Sequence, residues 1–207
     1  MTKSICALAH KPGSTRDQFQ TYYEENHAPL AISHFPFSGY ARNHVTNAAD
    51  FRWDTISEFW ADDIEAAAAL MAGPVGEIMA ADEERFMNRP MIASAGAEEV
   101  ILSQGGCTGS DGSRTAILIR GVADDADARL RLLEWARGFA RELPGVSIDF
   151  TSGWTQVAFP GEAVLWLPGW HDGLTTPAGL SAQILHVRHV ETPASQLLGN
   201  STVSRPA

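Results

Sequence analysis

The sequence predicts an α+β fold: two ferredoxin-like βαββαβ halves in one chain, packed sheet to sheet as a pseudo-dimeric α+β barrel. Three observations predict it. Over about the first hundred residues the apolar patterning reads strand, helix, strand, strand, helix, strand, which is the split βαβ order with helices on one face of an antiparallel sheet. The Gly- and Ser-rich stretch SQGGCTGSDGS at 103–113 then interrupts the pattern, which starts again in reduced form. Finally, a lone four-stranded sheet would leave a large apolar face uncovered, and a second copy in the same chain covers it.

In chain order, SICALA reads as a short buried strand, closed by the turn signal KPG at 11–13. Thr15 with Gln18 three residues later is a capping-box pattern and opens a helix. Phe19, Tyr23, Asn26 and Leu30 fall on one side of it, with His27 along the edge. Pro29 offers no N–H to the Glu25 carbonyl, so the helix bends or restarts near Ala28. After PFSG, YARNHV is a second strand, with Tyr40, Arg42 and His44 on one face and Ala41, Asn43 and Val45 on the other. WDTISEFW supplies the third strand. Asp62 with Glu65 opens the helix IEAAAALM, Gly73-Pro74 breaks it, and EIMAADEERF continues it. Pro90 to Leu102 completes the half as a fourth strand.

Beyond the linker, RTAILIRG is a strand. Leu132, Leu133, Ala136, Phe139, Ala140 and Leu143 then line one helix face before Pro144-Gly145. VSIDF, AVLWL and AQILHVRHV are further strands, and PGWHDGLTTPAGLS between the last two leaves room for at most a short helix. The expected boundaries are 1–102 for the first domain, 103–113 for the linker, 114–191 for the reduced second domain and 192–207 for a tail that straps the surface or is disordered.

Composition narrows the function classes. A net charge of −10 over 207 residues, with no basic run, argues against nucleic acid and against an anionic membrane surface. Two cysteines without CxxC spacing exclude a disulfide scaffold or a thiolate zinc site and fit a reducing compartment. The apolar run near the N-terminus is too short for a signal peptide, and no window approaches a membrane span. These features predict a cytoplasmic protein. No GxGxxG, P-loop or GxSxG occurs, which leaves nucleotide and serine-hydrolase readings without a foothold.

The first half resembles the EthD family of dimeric α+β barrel proteins. The resemblance rests on the strand ending in KPG, then STRDQFQTYYEENHAPLA, PFSGYARNHV, FRWDTISEFW and the acidic-aromatic close ADEERFMNRP. Phe19, Tyr22, Tyr23, His27, Pro29, Pro36, Tyr40, Asp54, Glu58, Asp82 and Phe86 match in order. PFSGY stands where the family usually has a Pro-Gly pair. The second half carries no such signature. The resemblance implies the fold, and implies an activity among cofactor-free isomerases, cyclases and monooxygenases on lactones, aromatic rings and polyketide-like compounds; other relatives bind haem.

His27 is the leading candidate for chemistry, because a positioned imidazole accepts and returns a proton near neutral pH. Tyr23 lies one turn earlier, where a phenol orients the imidazole or donates to a developing enolate oxygen. His44, on an adjacent strand, assists if it faces the helix layer. Tyr22, Tyr40, Trp53, Glu58, Phe59, Trp60 and Phe86 are candidate substrate contacts for a flat, ring-containing ligand, with Met71, Met79 and Met87 as pliable walls. His27, His44 and Glu58 lack the spacing of a metal site, and His186 and His189, three apart on a strand, point to opposite faces. No metal or cofactor is expected. The expected function is a cofactor-independent lyase, isomerase or cyclase for a small cyclic or aromatic metabolite. A non-catalytic binding protein for the same ligands is the first alternative, and a cofactor-free monooxygenase or a haem or metal protein the next. Pairing of whole chains into a homodimer stays open through an exposed sheet edge.

Overall fold

The computed structural model describes residues 2–48, 50–123 and 125–199. Side-chain alternation along its strands builds three apolar layers. On β1 (Thr2–Leu8), Ile5 and Ala7 face one layer and Cys6 and Leu8 another. The same division holds on β2 (Gly39–Val45) and β3 (Thr55–Ala61), where Val45 and Ile56 oppose Tyr40 and Ala61. The remaining strands are β4 (Ala93–Ile101), β5 (Ser113–Arg120), β6 (Ser147–Gly153), β7 (Ala163–Pro168) and β8 (Ser181–Glu191).

The eight strands close into one antiparallel barrel in the order β1-β3-β2-β8-β5-β7-β6-β4. Within it, β4-β1-β3-β2 and β8-β5-β7-β6 repeat one arrangement. They meet at two seams, where β2 pairs with β8 from Ala41↔Glu191 to Val45↔Val187, and β4 pairs with β6 from Ala95↔Gly153 to Ile101↔Ser147. Closure removes both exposed edges of each group. The lumen is filled by Ile5, Ile56, Leu118, Val164, Trp166 and Leu185, among others. This is a mixed α/β fold around a closed eight-stranded antiparallel barrel.

Helices cover the outside. On the first group of strands lie α1 (Arg16–Tyr22), a π-helical turn (Tyr23–His27), α2 (Ala28–Ile32), α3 (Ile64–Ala69) and α4 (Pro74–Phe86). The second group carries α5 (Ala126–Ala140), which buries Ala128, Leu132 and Ala136; no helix lies between β7 and β8. Thr15 and Gln18 form both arms of the capping box on α1. One cap differs from the sequence expectation: Asp63, not Asp62, caps α3 by accepting the Ala66 N–H at 2.9 Å. The shift follows from burial of Ile64 as the first helical residue, whose own N–H is taken by Thr2 Oγ1 at 2.8 Å.

The tail crosses the first helix layer as far as residue 199. Thr192 N–H donates to Tyr40 O, and Leu197 is buried among the first-half core residues; the rest of the predicted tail lies outside the described residues. Among the described residues no single helix is long and apolar enough to cross a membrane.

Candidate active site

The site grows from the way the chain handles Pro29. A proline inside a helix leaves a carbonyl without its donor and crowds the preceding turn. Here the helix widens instead: the Ala28 N–H reaches back to Tyr23 O, five residues away, and Pro29 falls in the first turn of α2, where no N–H is required. The wide turn buries Tyr23 and His27 together against β1 and β3, with ring centroids 4.9 Å apart. Phe86 at the end of α4 packs on both rings and on Phe19 and Tyr22.

Asp82 of α4 fixes the His27 imidazole. Its Oδ2 lies 2.8 Å from His27 Nδ1, and its Oδ1 accepts the Tyr22 hydroxyl at 2.8 Å. The bond with His27 is the main reason the Asp82 carboxyl sits below its ordinary range, with burial opposing it. An ionised carboxylate only accepts, so Nδ1 carries the hydrogen and the Nε2 lone pair is left for another partner. No protein bond to Nε2 occurs among the described residues.

His27 forms part of the wall of a cavity of about 260 Å³ between the helix layer and the sheet. Tyr23, Tyr40 and Phe59 line it too, with Phe35, Phe37, Ile64 and Met79 supplying apolar surface. Two phenols are joined in a chain: the Tyr40 hydroxyl donates to the Tyr23 hydroxyl at 2.8 Å, which lies 2.9 Å from Ser57 Oγ. Burial pushes both phenols far up, so they stay neutral and are donors. Met71 and the half-exposed Trp154 stand at the rim; Trp154 follows β6, so the second group of strands contributes to this cavity.

The other candidates divide by strand parity. His44 faces the helix layer, but its nitrogens are both committed, Nε2 to Glu24 at 2.6 Å and Nδ1 to Thr55 Oγ1 at 2.7 Å. Burial lowers its proton affinity, and it does not reach the cavity. Glu58 points the opposite way, into the barrel lumen, where it meets Lys3 at 2.8 Å and Arg114. Trp60 lies under Lys3, and Trp53 packs on Phe51 in the lumen core and donates to Met91 O. The structure therefore gathers His27, Tyr23, Tyr40 and Phe59 at one cavity, sets Tyr22 and Phe86 behind them, and places Trp53, Glu58 and Trp60 elsewhere.

Glu83 and Cys6 are among the cavity residues that had no site role in the sequence reading. Glu83, beside Asp82 on α4, lines the wall, and burial raises its carboxyl above the ordinary range despite His27 and the 3.0 Å bond from Arg89 Nε. Cys6 lines it as well, 3.1 Å from Ser94 Oγ, its thiol pushed up to about 12 by burial. The signal for Cys6 was present, since its strand alternates and Ile5 and Ala7 take the other face. Asp82 was legible as one of the matching positions in the acidic-aromatic close ADEERFMNRP, but with no role at the site. An apolar cavity of about 150 Å³ accepts benzene, so a hollow of 260 Å³ suits one or two fused rings. Among the described residues no cluster of three metal-ligating side chains occurs.

Comparison with known proteins agrees with this architecture. Residues 11–90 match the family model of the EthD domain. The first half of the chain is thus an EthD domain. A solved EthD-family protein from Bacillus halodurans is 20% identical and aligns over 48% of this chain and 100% of its own, with a TM-score of 0.39. Further solved structures align along almost the whole chain, two of them with a TM-score of 0.54. One is a candidate monooxygenase from Lactobacillus acidophilus (12% identity, 93% of this chain, 96% of that one, TM-score 0.54), and the other an anthrone oxidase-like protein (11%, 92%, 93%, 0.54). At such identities the likeness is one of fold. No curated protein matches the chain.

Proposed function

We propose that the first-half cavity is a cofactor-independent active site that moves a proton on a small cyclic or aromatic, lactone- or polyketide-like metabolite, with a lyase, isomerase or cyclase outcome. One observation carries the reading: an imidazole whose Nδ1–H is held by a carboxylate and whose Nε2 has no protein partner among the described residues, in the wall of a ring-sized apolar hollow. Nε2 takes a proton from carbon next to a carbonyl, and the electron pair moves onto the carbonyl oxygen. The neutral Tyr23 hydroxyl, which accepts from Tyr40 and is backed by Ser57, is the donor available to that oxygen. The proton returns from Nε2 to a different atom of the substrate. His44 acts at a distance by holding Glu24 and hence the wide turn, while Tyr40 and Phe59 contact the ring.

The halves, 1–102 and 114–191, are read as two ferredoxin-like units joined by 103–113. The second unit serves as the structural mate that closes the barrel. Two free cysteines suit the reducing cytoplasm.

A second reading shares the first step. A cofactor-free monooxygenase forms the same carbanion and passes it to dioxygen, and the oxidative names of two of the whole-chain structural neighbours favour retaining it. Deuterium exchange from solvent into the α-carbon of 2-tetralone, followed by proton NMR, tests the shared step. The protein should accelerate exchange, and His27→Ala should lose at least about 100-fold of that rate while the ketone still binds. Exchange unaffected by the substitution would sink the proposal. Exchange absent in both proteins, with binding intact, would favour the non-catalytic alternative. Oxygen consumption with the same ketone separates the two enzyme readings.

A further inference from the structure

A second cavity, of about 220 Å³, opens at the other end of the barrel beneath the 103–113 loop, lined by Cys107, His189, Arg114, Glu99 and Glu191. Three of the surrounding groups form an ordered chain. Asn43 donates through Nδ2 to Glu58 Oε1 at 2.8 Å and to Ile56 O at 3.0 Å, which fixes its Oδ1 as the acceptor on the other side. His189 Nδ1 lies 2.9 Å from that oxygen and therefore carries a hydrogen. His189 Nε2 then faces Cys107 Sγ at 3.9 Å, within hydrogen-bonding reach for sulfur, with Glu191 Oε2 also 3.9 Å away. His189 shares the lumen parity of Leu185 and Val187, so its ring is held from the barrel side. An independent feature points to a ligand: Arg114, almost wholly buried in the cavity wall, keeps its Nε without an acceptor among the described residues, while its guanidinium is locked over Trp166 and donates through Nη1 to Glu58 and to Asn43 Oδ1.

We propose that Cys107, His189 and Asn43 form a nucleophilic thiolate site that adds to small neutral α,β-unsaturated carbonyl compounds in this second cavity. His189 Nε2 takes the thiol proton while Asn43 holds the resulting imidazolium upright. The thiolate forms a C–S bond to the β-carbon, and the π pair of the C=C bond moves through the α-carbon onto the carbonyl oxygen. Arg114 supplies the donor for that oxygen. The His189 proton then goes to the α-carbon, so the net change is addition of S–H across the double bond, with no leaving group and no oxidant. Carboxylates Glu99 and Glu191 in the wall select against anions, which is why the ligand is neutral. The hydrogen bond between Cys107 and His189 also holds the thiol below its ordinary range, with burial opposing it.

Adduct formation at Cys107 is followed by mass spectrometry of digested protein, with 2-cyclohexenone and iodoacetamide as probes and glutathione as the reference thiol. At about pH 6 the enone should modify Cys107 at least about 10-fold faster than it modifies glutathione, and the pH–rate midpoint should fall below about 8.5. The enhancement should be larger for the enone than for iodoacetamide, because only the enone develops an oxyanion for Arg114. His189→Gln, checked for its fold by circular dichroism, should lose most of the rate at low pH and return the midpoint to the ordinary thiol range. Three results would overturn the proposal: a wild-type rate and midpoint like those of glutathione, equal enhancement for both probes (a merely acidic thiol), or a His189→Gln profile identical to wild type. The first two need no variant, so a variant that fails to fold leaves the test standing.

Discussion

His27 and Asp82 act together through one bond of 2.8 Å. The carboxylate sets the tautomer, so replacing it by an amide offers an N–H to Nδ1 and drives the ring hydrogen to Nε2, where the substrate proton has to go. Asp82→Asn is expected to cut exchange by about 10²–10⁴-fold with little change in melting temperature, and steady-state kinetics beside a thermal melt checks both. The half of this pair that was legible in sequence was the local half. Tyr23 and His27 are four apart and neighbours on any helix, whereas Asp82 lies 55 residues away and its approach is set by how α4 docks. His44 shows the converse. Alternation put it on the face of Tyr40 and Arg42, but nothing in the strand announced that Glu24 and Thr55 would occupy both its nitrogens.

The wide turn Tyr23–His27 is the element on which the site depends. Proline predicted a disturbance near Ala28, but the five-residue bond from Ala28 to Tyr23 O is chosen by packing against the sheet, which a lone sequence does not display. Deleting Asn26 should convert the turn to regular helix and rotate His27 by about 100° relative to Tyr23 and α1. Exchange activity should vanish while circular dichroism still reports a folded protein. The turn is tied to β2 through Glu24, which bonds His44 and, bidentately, Arg42. Burial disfavours the Glu24 anion, but these bonds outweigh it and bring the carboxyl down to about 2. A group depressed in the folded state stabilises fully above its unfolded value of about 4.3 and loses that contribution as pH falls toward its folded one. Urea melts should therefore show stability dropping between those limits, with a shallower drop in Glu24→Gln. At the far wall, Gly76 lets α4 lie against the Leu70–Ala72 turn, since a Cβ there would come within 1.9 Å of Met71 O; this close approach helps set Met71 at the cavity rim.

Closure of the barrel relies on charges exchanged across its lumen. Lys3 and Glu58 come from the first half of the chain and Asp149 and Arg114 from the second, and Lys3 reaches Glu58, Glu99 and Asp149 at 2.8 Å each. Removing one partner from such a buried set leaves uncompensated charge, so Lys3→Met should cost about 3–5 kcal/mol in chemical denaturation. The order of strands and helices was readable from patterning. The seams β2–β8 and β4–β6 were not, because register and edge pairing depend on contacts between halves that share no sequence signal. The same blindness put Glu58 among the substrate contacts. Its strand was recognisable, but its face follows from a register that places it opposite Ala41 and Ile5.

The protonation state of the His27 ring tests the account most directly. Nitrogen-15 NMR of histidine-labelled protein reports which ring nitrogen carries hydrogen. The structure predicts the Nδ1–H form for His27, with an Nε2 resonance that shifts when 2-tetralone enters the cavity and an Nδ1–H signal lost in Asp82→Ala. An Nε2–H tautomer, or a ring blind to the ketone, would contradict it.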